Sequence, residues 1–483
     1  MKAPHIRSVR VLVAAAAIVL IAGSASAQDE SRFASDLRRE GEHVRENCSS
    51  FSTLLSCAYT LATDYPFHVA MGSLAPENGF AVGLAFVERW TPNETWRINW
   101  SADAVRSFGG SWRAGAYMRM IHIPDDDIGV VRPGSGSSPG AGAAPPVRRY
   151  PVFHVHAQTI SLRELYYFGP GPDSPDEGRS LFTERQTIIG GGVILPINRG
   201  PDWFRTLRPS VALGLNGRFV KTGSRRKGDI EPLDQVHLGL TVPGFRDDRG
   251  YAQFEQRLRL EPSTPNGILH FDYDIGFQQY VSSGEPSASF RRWTLDLRHE
   301  IPIYRSSPRP ATAPANINGP NECFSSVGSD TCPPLPPLRS RDRYGAVNLR
   351  VLLSSASAFG DSYIPFYFQP TLGGADINGD LLLASLDDYR YRAPHLFALQ
   401  QSIEHSLWGP IGVFAMAEQG RVADRFGDLG FGGMKTSFTI GATIRAGGMP
   451  MIHLAYAWGS GATHAFATID TSLLGGSRRP SLF

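Results

Sequence analysis

The strongest constraint on this chain is an alternation of apolar and polar residues that runs unusually long. In 434–445, Met434, Thr436, Phe438, Ile440, Ala442 and Ile444 fall on one face. Lys435, Ser437, Thr439, Gly441, Thr443 and Arg445 fall on the other. Leu269, Phe271, Tyr273, Ile275 and Phe277 alternate with His270, Asp272, Asp274, Gly276 and Gln278 in the same way. So do Trp293, Leu295 and Leu297 with Arg292, Thr294, Asp296 and Arg298. The stretches 347–353 and 211–218 repeat the pattern. A period of two means a strand with one apolar and one polar face.

Two architectures use such strands: a soluble antiparallel sandwich with a dry core, and a membrane barrel with its apolar face outward. Length separates them. Ordinary strands run about five or six residues, whereas a tilted membrane strand needs about nine to eleven, and many of the segments here exceed ten. The polar face also carries full charges in mid-strand, at Arg119, Arg257, Arg259, Asp272, Asp296, Arg298 and Arg350, which suits a wet lumen. Trp90, Trp96, Trp112, Tyr166, Tyr167, Tyr280 and Trp458 sit near strand ends, where an interfacial girdle belongs. The expected fold is therefore all-β, a transmembrane antiparallel β-barrel.

Sixteen segments are counted from Phe80–Trp90 to His464–Leu473, including a weak one at Gln235–Val242 and a long one at Tyr389–Leu407. A further weak candidate is Phe67–Leu74. Two inserts interrupt the series: 125–149, rich in Gly, Pro and Ser, and 306–343, rich in Pro. This count places the first outside the cell and the second on the periplasmic side. The 51 glycines and a charged fraction of 19% suit many strands and turns. A net charge of +2, with Arg225-Arg226-Lys227 as the longest basic run, argues against nucleic acid as a partner.

The N-terminus reads as an export signal over 1–27: basic Lys2, Arg7 and Arg10, an apolar core from Val11 to Ala22, then Ala25-Ser26-Ala27 for cleavage. That core is too short to span a bilayer. Residues 28–65 form a short helical leader with Leu37, Val44, Leu54, Leu55 and Tyr59 at helical spacing. The barrel is assigned to 66–474 and a tail to 475–483. Export places Cys48, Cys57, Cys323 and Cys332 in an oxidising compartment, where two local disulfides, Cys48 with Cys57 and Cys323 with Cys332, are the natural reading.

The stretch 366–420 carries the most specific pattern. A strand is expected to run into Leu372-Gly373-Gly374. A long loop follows with Ile377-Asn378-Gly379-Asp380 and Tyr389-Arg390-Tyr391-Arg392. Beyond it stand Gln401-Ser402-Ile403-Glu404-His405 and Glu418-Gln419-Gly420 on strands. Over 366–474 this resembles the barrel of the bacterial surface-antigen superfamily, the group of BamA, TamA and the two-partner-secretion transporters. Tyr166-Tyr167-Phe168-Gly169-Pro170-Gly171 resembles an aromatic-glycine turn common in these barrels. The resemblance implies that 373–392 is a lumenal loop, held in the family by a loop arginine reaching a strand aspartate. Here Asn378 stands at the arginine's position and Glu418 at the aspartate's. An Asn378–Glu418 hydrogen bond is one expectation, and Arg390 or Arg392 taking the arginine's part is another. Family members that assemble or secrete proteins also carry POTRA domains, for which 28–65 is too short.

The resemblance implies an outer-membrane barrel that works in transport, translocation or membrane-protein assembly, without enzymatic chemistry. Its surroundings would be outer-membrane lipid and lipopolysaccharide, and its client a translocated or inserted protein. The alternatives are an outer-membrane lipase or protease, and a passive porin or structural barrel. No cofactor or metal site is expected. Ser460 with His453 and His464 reads as a chance neighbourhood, and Asp125-Asp126-Asp127 as a solvated acidic turn rather than a cation site. Gly190-Gly191-Gly192 reads as close packing or a barrel bend. Arg113, Arg119, Arg292, Arg298 and Arg350 should face the lumen, either balancing Asp272, Asp274, Asp296 and Glu300 or lining a pathway.

Overall fold

The computed structural model describes residues 67–123 (without 94), 150–237, 242–262, 269–306 (without 285), 343–469 (without 409–410 and 447–448) and 479–483. One antiparallel sheet of sixteen strands dominates. In order these are β1 (Phe67–Ser73), β2 (Phe80–Trp90), β3 (Trp96–Ser107), β4 (Trp112–His122), β5 (Val152–Tyr167) and β6 (Ser180–Pro196). There follow β7 (Ser210–Ser224), β8 (Arg249–Leu260), β9 (His270–Ser282), β10 (Phe290–Ser306) and β11 (Arg343–Ala358). The sheet resumes with β14 (His395–Trp408), β15 (Ile411–Ala423), β16 (Lys435–Ala446), β17 (Met449–Gly459) and β18 (Ala462–Ile469). The two short strands between, β12 (Thr371–Leu372) and β13 (Tyr391–Arg392), form a separate two-stranded sheet.

Burial is inverted relative to a soluble sandwich. On β16, Ile440 is 53% exposed and Phe438 46%, while Ser437 is fully buried and Thr439 and Thr443 nearly so. On β7, Leu213, Leu215 and Phe219 are exposed, and Asn216 and Arg218 are buried. Apolar side chains facing out and polar ones facing in is the signature of strands solvated by lipid around a polar interior. Among the described residues no helix is long and apolar enough to cross a membrane. The strands do the crossing, and β5, β6 and β10 reach 16 and 17 residues.

Consecutive pairing fixes two rims. One carries the pairs Trp96 with His122, Ile121 with Val152, Ser306 with Arg343, and Ile452 with Ile469. The other carries Tyr167 with Ser180, Tyr251 with Ser282, Ser355 with His395, and Gly459 with Ala462. The strand ends flanking both inserts therefore lie on the first rim, where β1 begins. This corrects the expectation of opposite sides. The physical reason is a pair of offsetting strand assignments. Phe67–Ser73 is a full strand, whereas the segment read as Gln235–Val242 starts as a short helix, Leu233–Val236, with 238–241 outside the described residues. A total of sixteen survives, but every strand between them changes direction. The expected Tyr389–Leu407 strand also divides: Tyr391–Arg392 belongs to the small hairpin, and the barrel strand starts at His395. The signal, leader, cysteine pairs, Asp125-Asp126-Asp127 and 475–478 fall outside the described residues.

Gly190, Gly191 and Gly192 sit inside β6. A Cβ on each would come within 2.5 Å of a neighbouring carbonyl (Leu215, His154 and Leu213 in turn), so this run marks close strand approach.

Candidate functional site

The connection from β11 to β14 leaves the second rim and folds back inside the barrel. Its first part is aromatic. Phe366-Tyr367-Phe368 forms a single 3₁₀ turn with all three rings buried. It is not the expected strand into Leu372. The Phe366 ring meets Phe182 and Tyr167 edge-on at 5.0 and 5.4 Å, and Phe368 packs on Tyr280 and Phe290 at 4.9 and 5.5 Å. Tyr367 shares a hydrogen bond with Tyr251, hydroxyl to hydroxyl at 2.7 Å. Aromatic pairs at these separations add about 0.5–1.5 kcal/mol each beyond area burial. The strand face that is polar lower in the lumen is aromatic at this level, which is why the turn seats there.

The hairpin proper hangs from this turn. Thr371 pairs with Arg392 and Leu372 with Tyr391. The Gly171 amide donates to the Arg392 carbonyl at 2.8 Å, so the Tyr166–Gly171 turn extends the hairpin by one bridge. Arg390 donates to the Ser174 hydroxyl and carbonyl at 3.1 and 2.8 Å, pairs with Asp176 at 2.7 Å, and stacks over Phe168 and Tyr391. Arg392 donates to the Phe366 carbonyl at 2.7 Å. Both arginines thus fix the base of the hairpin, and neither takes the strand carboxylate.

The carboxylate holds the hairpin by its backbone. Glu418, 2% exposed on the lumenal face of β15, accepts from the Ala384 amide at 2.8 Å and from Gln400 Nε2 at 2.7 Å. Gln400 also donates to the Leu381 carbonyl at 2.7 Å, and the Ser437 hydroxyl accepts from the Ser385 amide at 3.0 Å. Arg350 on β11 joins Asp296 of β10 to Asp380 of the loop. Two glycines make this approach possible. A Cβ on Gly374 would stand 2.7 Å from the backbone of Asp388, and one on Gly420 would stand 2.7 Å from Leu372 Cδ1. Gly373, Gly374 and Gly379 all take positive φ. Ile377 is buried in the same core as the aromatic turn. The loop reaches strands from both ends of the sheet order. Tyr389 donates to the Pro76 carbonyl after β1 at 3.4 Å, and Ser385 to the Gly459 carbonyl at the end of β17. The sheet is curled around it.

Asn378 makes no contact with Glu418, and the expected pair is corrected by what each touches instead. The Asn378 amide oxygen accepts from the Leu482 amide at 2.7 Å and from the Ser481 hydroxyl at 3.4 Å. Residues 479–483 therefore lie within the lumen and meet the tip of the hairpin. Arg479 pairs with Asp103 of β3, which Arg113 of β4 also holds. Gln186 of β6 donates to the Leu482 carbonyl at 3.2 Å. Arg218 of β7 donates to main-chain oxygens of Ser481 and Phe483 at 2.8 and 3.2 Å. Arg292 of β10 lies over the Phe483 ring and donates to the Phe368 carbonyl.

Other lumenal charges pair along the wall, within a strand or with the neighbouring one. Arg257 pairs with Glu255 and Asp274, Arg259 with Asp272 and Glu261, and Arg298 with Asp296. Arg119 lines a cavity of about 300 Å³ with His154, His156, Arg257, Arg259 and Arg479. Glu404 lies four residues along β14 from Gln400, opposite Ala346 and Phe414, away from the hairpin's hydrogen bonds described above. The Ser460 hydroxyl is engaged by Thr436, accepting from its amide at 2.7 Å and donating to its carbonyl at 3.0 Å. Phe366–Phe368, Arg218 and 479–483 escaped sequence reasoning. The available signals were the unbroken Phe-Tyr-Phe run and the apolar Leu482-Phe483 pair at the end of a polar segment.

Strand order, strand length and inverted burial define a transmembrane β-barrel with a hairpin folded into its lumen. In architecture the chain is similar to CdiB from Acinetobacter baumannii, with a TM-score of 0.44 and 11% identity over 82% of this chain and 56% of that one. It is similar to BamA from Haemophilus ducreyi lacking POTRA domains 1-3, at 0.44 and 8% over 84% and 70%. It is also similar to CdiB from Escherichia coli, at 0.45 and 10% over 84% and 62%. The chain spans less than two thirds of either CdiB chain. No protein-family model and no curated protein matches the sequence.

Proposed function

We propose that the protein is an outer-membrane barrel of the transport, translocation or membrane-protein assembly kind, working by conformational gating and not by bond-making chemistry. Its lumenal hairpin acts as the plug. The observation that supports this reading is the hold of Glu418 and Gln400 on the backbone of 381–384. The loop is fastened by polar groups from β11, β14, β15 and β16, of which Glu418 and Ser437 are buried. Hydrogen bonds to a buried carboxylate are worth more than neutral ones, about 1.5–3 kcal/mol each, yet each can break singly. Such a hairpin is firmly seated and still releasable.

The test is planar-bilayer recording. The intact barrel should show low and intermittent conductance, and deletion of 375–388 should give large, steady openings. A steady large conductance in the intact protein, unaltered by the deletion, overturns the plug. The commitment of the Ser460 hydroxyl to Thr436 speaks against a nucleophile there. A serine-reactive probe should leave the folded protein unlabelled, and labelling would favour a lipase or protease.

A further inference from the structure

We propose that the lumen contains a built peptide-binding site, that residues 479–483 are its ligand in cis, and that it accepts a peptide of the same chemistry once they leave. Four polar contacts of the segment are to main chain: main-chain oxygens of Ser481, Leu482 and Phe483 accept from Arg218, Gln186 and Arg218, and the Leu482 amide donates to Asn378. Contacts to main chain supply affinity, and pockets for side chains supply selectivity.

The receiving groups are constructed for this purpose by their own surroundings. Arg218 is 2% exposed, and its other hydrogen bonds go to the neutral side chains of Gln253 and Gln186. Glu184 and Glu255 act on it only through space. A buried guanidinium has five donors to satisfy, and here main-chain oxygens of the peptide take two of its hydrogen bonds. Two side chains add selectivity: Leu482 is buried in the aromatic core, and Phe483 packs against that core and under Arg292. Arg479 supplies the basic end, on Asp103.

Room to exchange is present. The cavity of about 300 Å³ runs alongside, with Arg479, Pro480 and Ser481 forming part of its wall and Asn216 and Arg218 another part. Withdrawal of the segment would merge its volume with that cavity and expose Arg218 and Gln186 together. The matching ligand is a peptide with a basic residue three positions before a leucine–aromatic pair.

The experiment uses the full chain and a variant lacking 479–483, both in detergent, with a fluorescein-labelled Arg-Pro-Ser-Leu-Phe peptide read by anisotropy. The peptide should bind the deletion variant saturably and the full chain at least tenfold more weakly. A peptide with aspartate in place of leucine and phenylalanine should lose at least tenfold in affinity for the variant. Equal binding to both proteins, or no binding to a deletion variant that still runs as a heat-modifiable barrel, overturns the proposal. If the deletion does not fold, the full-chain L482D/F483D variant should behave in its place. If neither gives a heat-modifiable band, the segment is part of the folding core rather than a ligand, and the proposal fails.

Discussion

At the scale of single residues, the lumen uses polar atoms of strands to hold backbone atoms of inserted segments. Glu418 is the sharpest case, because its oxygens serve Ala384 and Gln400 and its burial is nearly complete. E418A would leave the Ala384 amide buried without its acceptor, at a cost of about 1–3 kcal/mol. Proteolysis within 375–392 of the folded barrel should accelerate accordingly. E418Q keeps one carbonyl oxygen for Ala384 and should fall between the two; cleavage unchanged in E418A would show that the hairpin is held elsewhere. The glycines give a second residue-level contrast. G374A puts a Cβ 2.7 Å from Asp388 backbone at a positive φ, so the hairpin must shift, whereas a Cβ on Gly379 meets nothing within 4 Å. G379A should cost only the left-handed strain of about 1–2 kcal/mol, and hydrogen exchange of 373–389 should rise far more in G374A than in G379A.

At the scale of elements, the hairpin carries its own titration. The Asp388 carboxyl is pushed up to about 6, first by burial and then by Glu77 and Asp387, against the Ala375 amide and His464 that favour its charge. Asp376 is raised too, by burial and by Asp380. A folded value above the unfolded one means that the native loop favours the protonated acid. Its contribution to stability is then full below the ordinary carboxylate range near 4 and is lost as pH rises through about 6. Lowering the pH from 7.5 to 5 should therefore slow proteolysis of the hairpin relative to the barrel strands. D388N keeps the acceptor for Ala375 and should reduce that dependence, with D376N/D388N flattening it. A dependence unchanged in the double variant would assign it to other groups.

Elements also mark how far the sequence could be read. Long period-two stretches such as 434–445 were legible because one face meets lipid and the other the lumen, so pattern and environment coincide. The loop residues Gly373, Gly374, Arg390 and Arg392 could be singled out, but not their partners. A hydrogen bond from Arg390 to Ser174 spans 216 positions, and nothing local in either segment announces the other. Phe366–Phe368 reads as strand in sequence because three consecutive aromatics satisfy strand propensity as well as they satisfy a buried turn. Gln235–Val242 failed for the same reason in reverse: a short, weak alternation did not outweigh the helical start after Pro232.

At the scale of the molecule, the decisive feature is the reversal of faces, and it makes a prediction that no soluble sandwich shares. Ile440 lies at the middle of β16, 53% exposed and paired with Ala415 and Tyr456 on its flanks. In water an exposed isoleucine replaced by arginine is nearly neutral. On the lipid face of a barrel, an arginine near the bilayer midplane costs about 2–4 kcal/mol. Ser402 offers the matched control, since it faces the lumen from β14, where Asn348 donates to its hydroxyl at 3.4 Å and Glu404 follows on the same face. In lipid vesicles, I440R should lower the unfolding free energy obtained from denaturant titration by an amount in that range, with S402R close to the unaltered protein. The reverse order, or two equal effects, would mean that the apolar face of β16 does not meet lipid, and the barrel would have to be turned inside out.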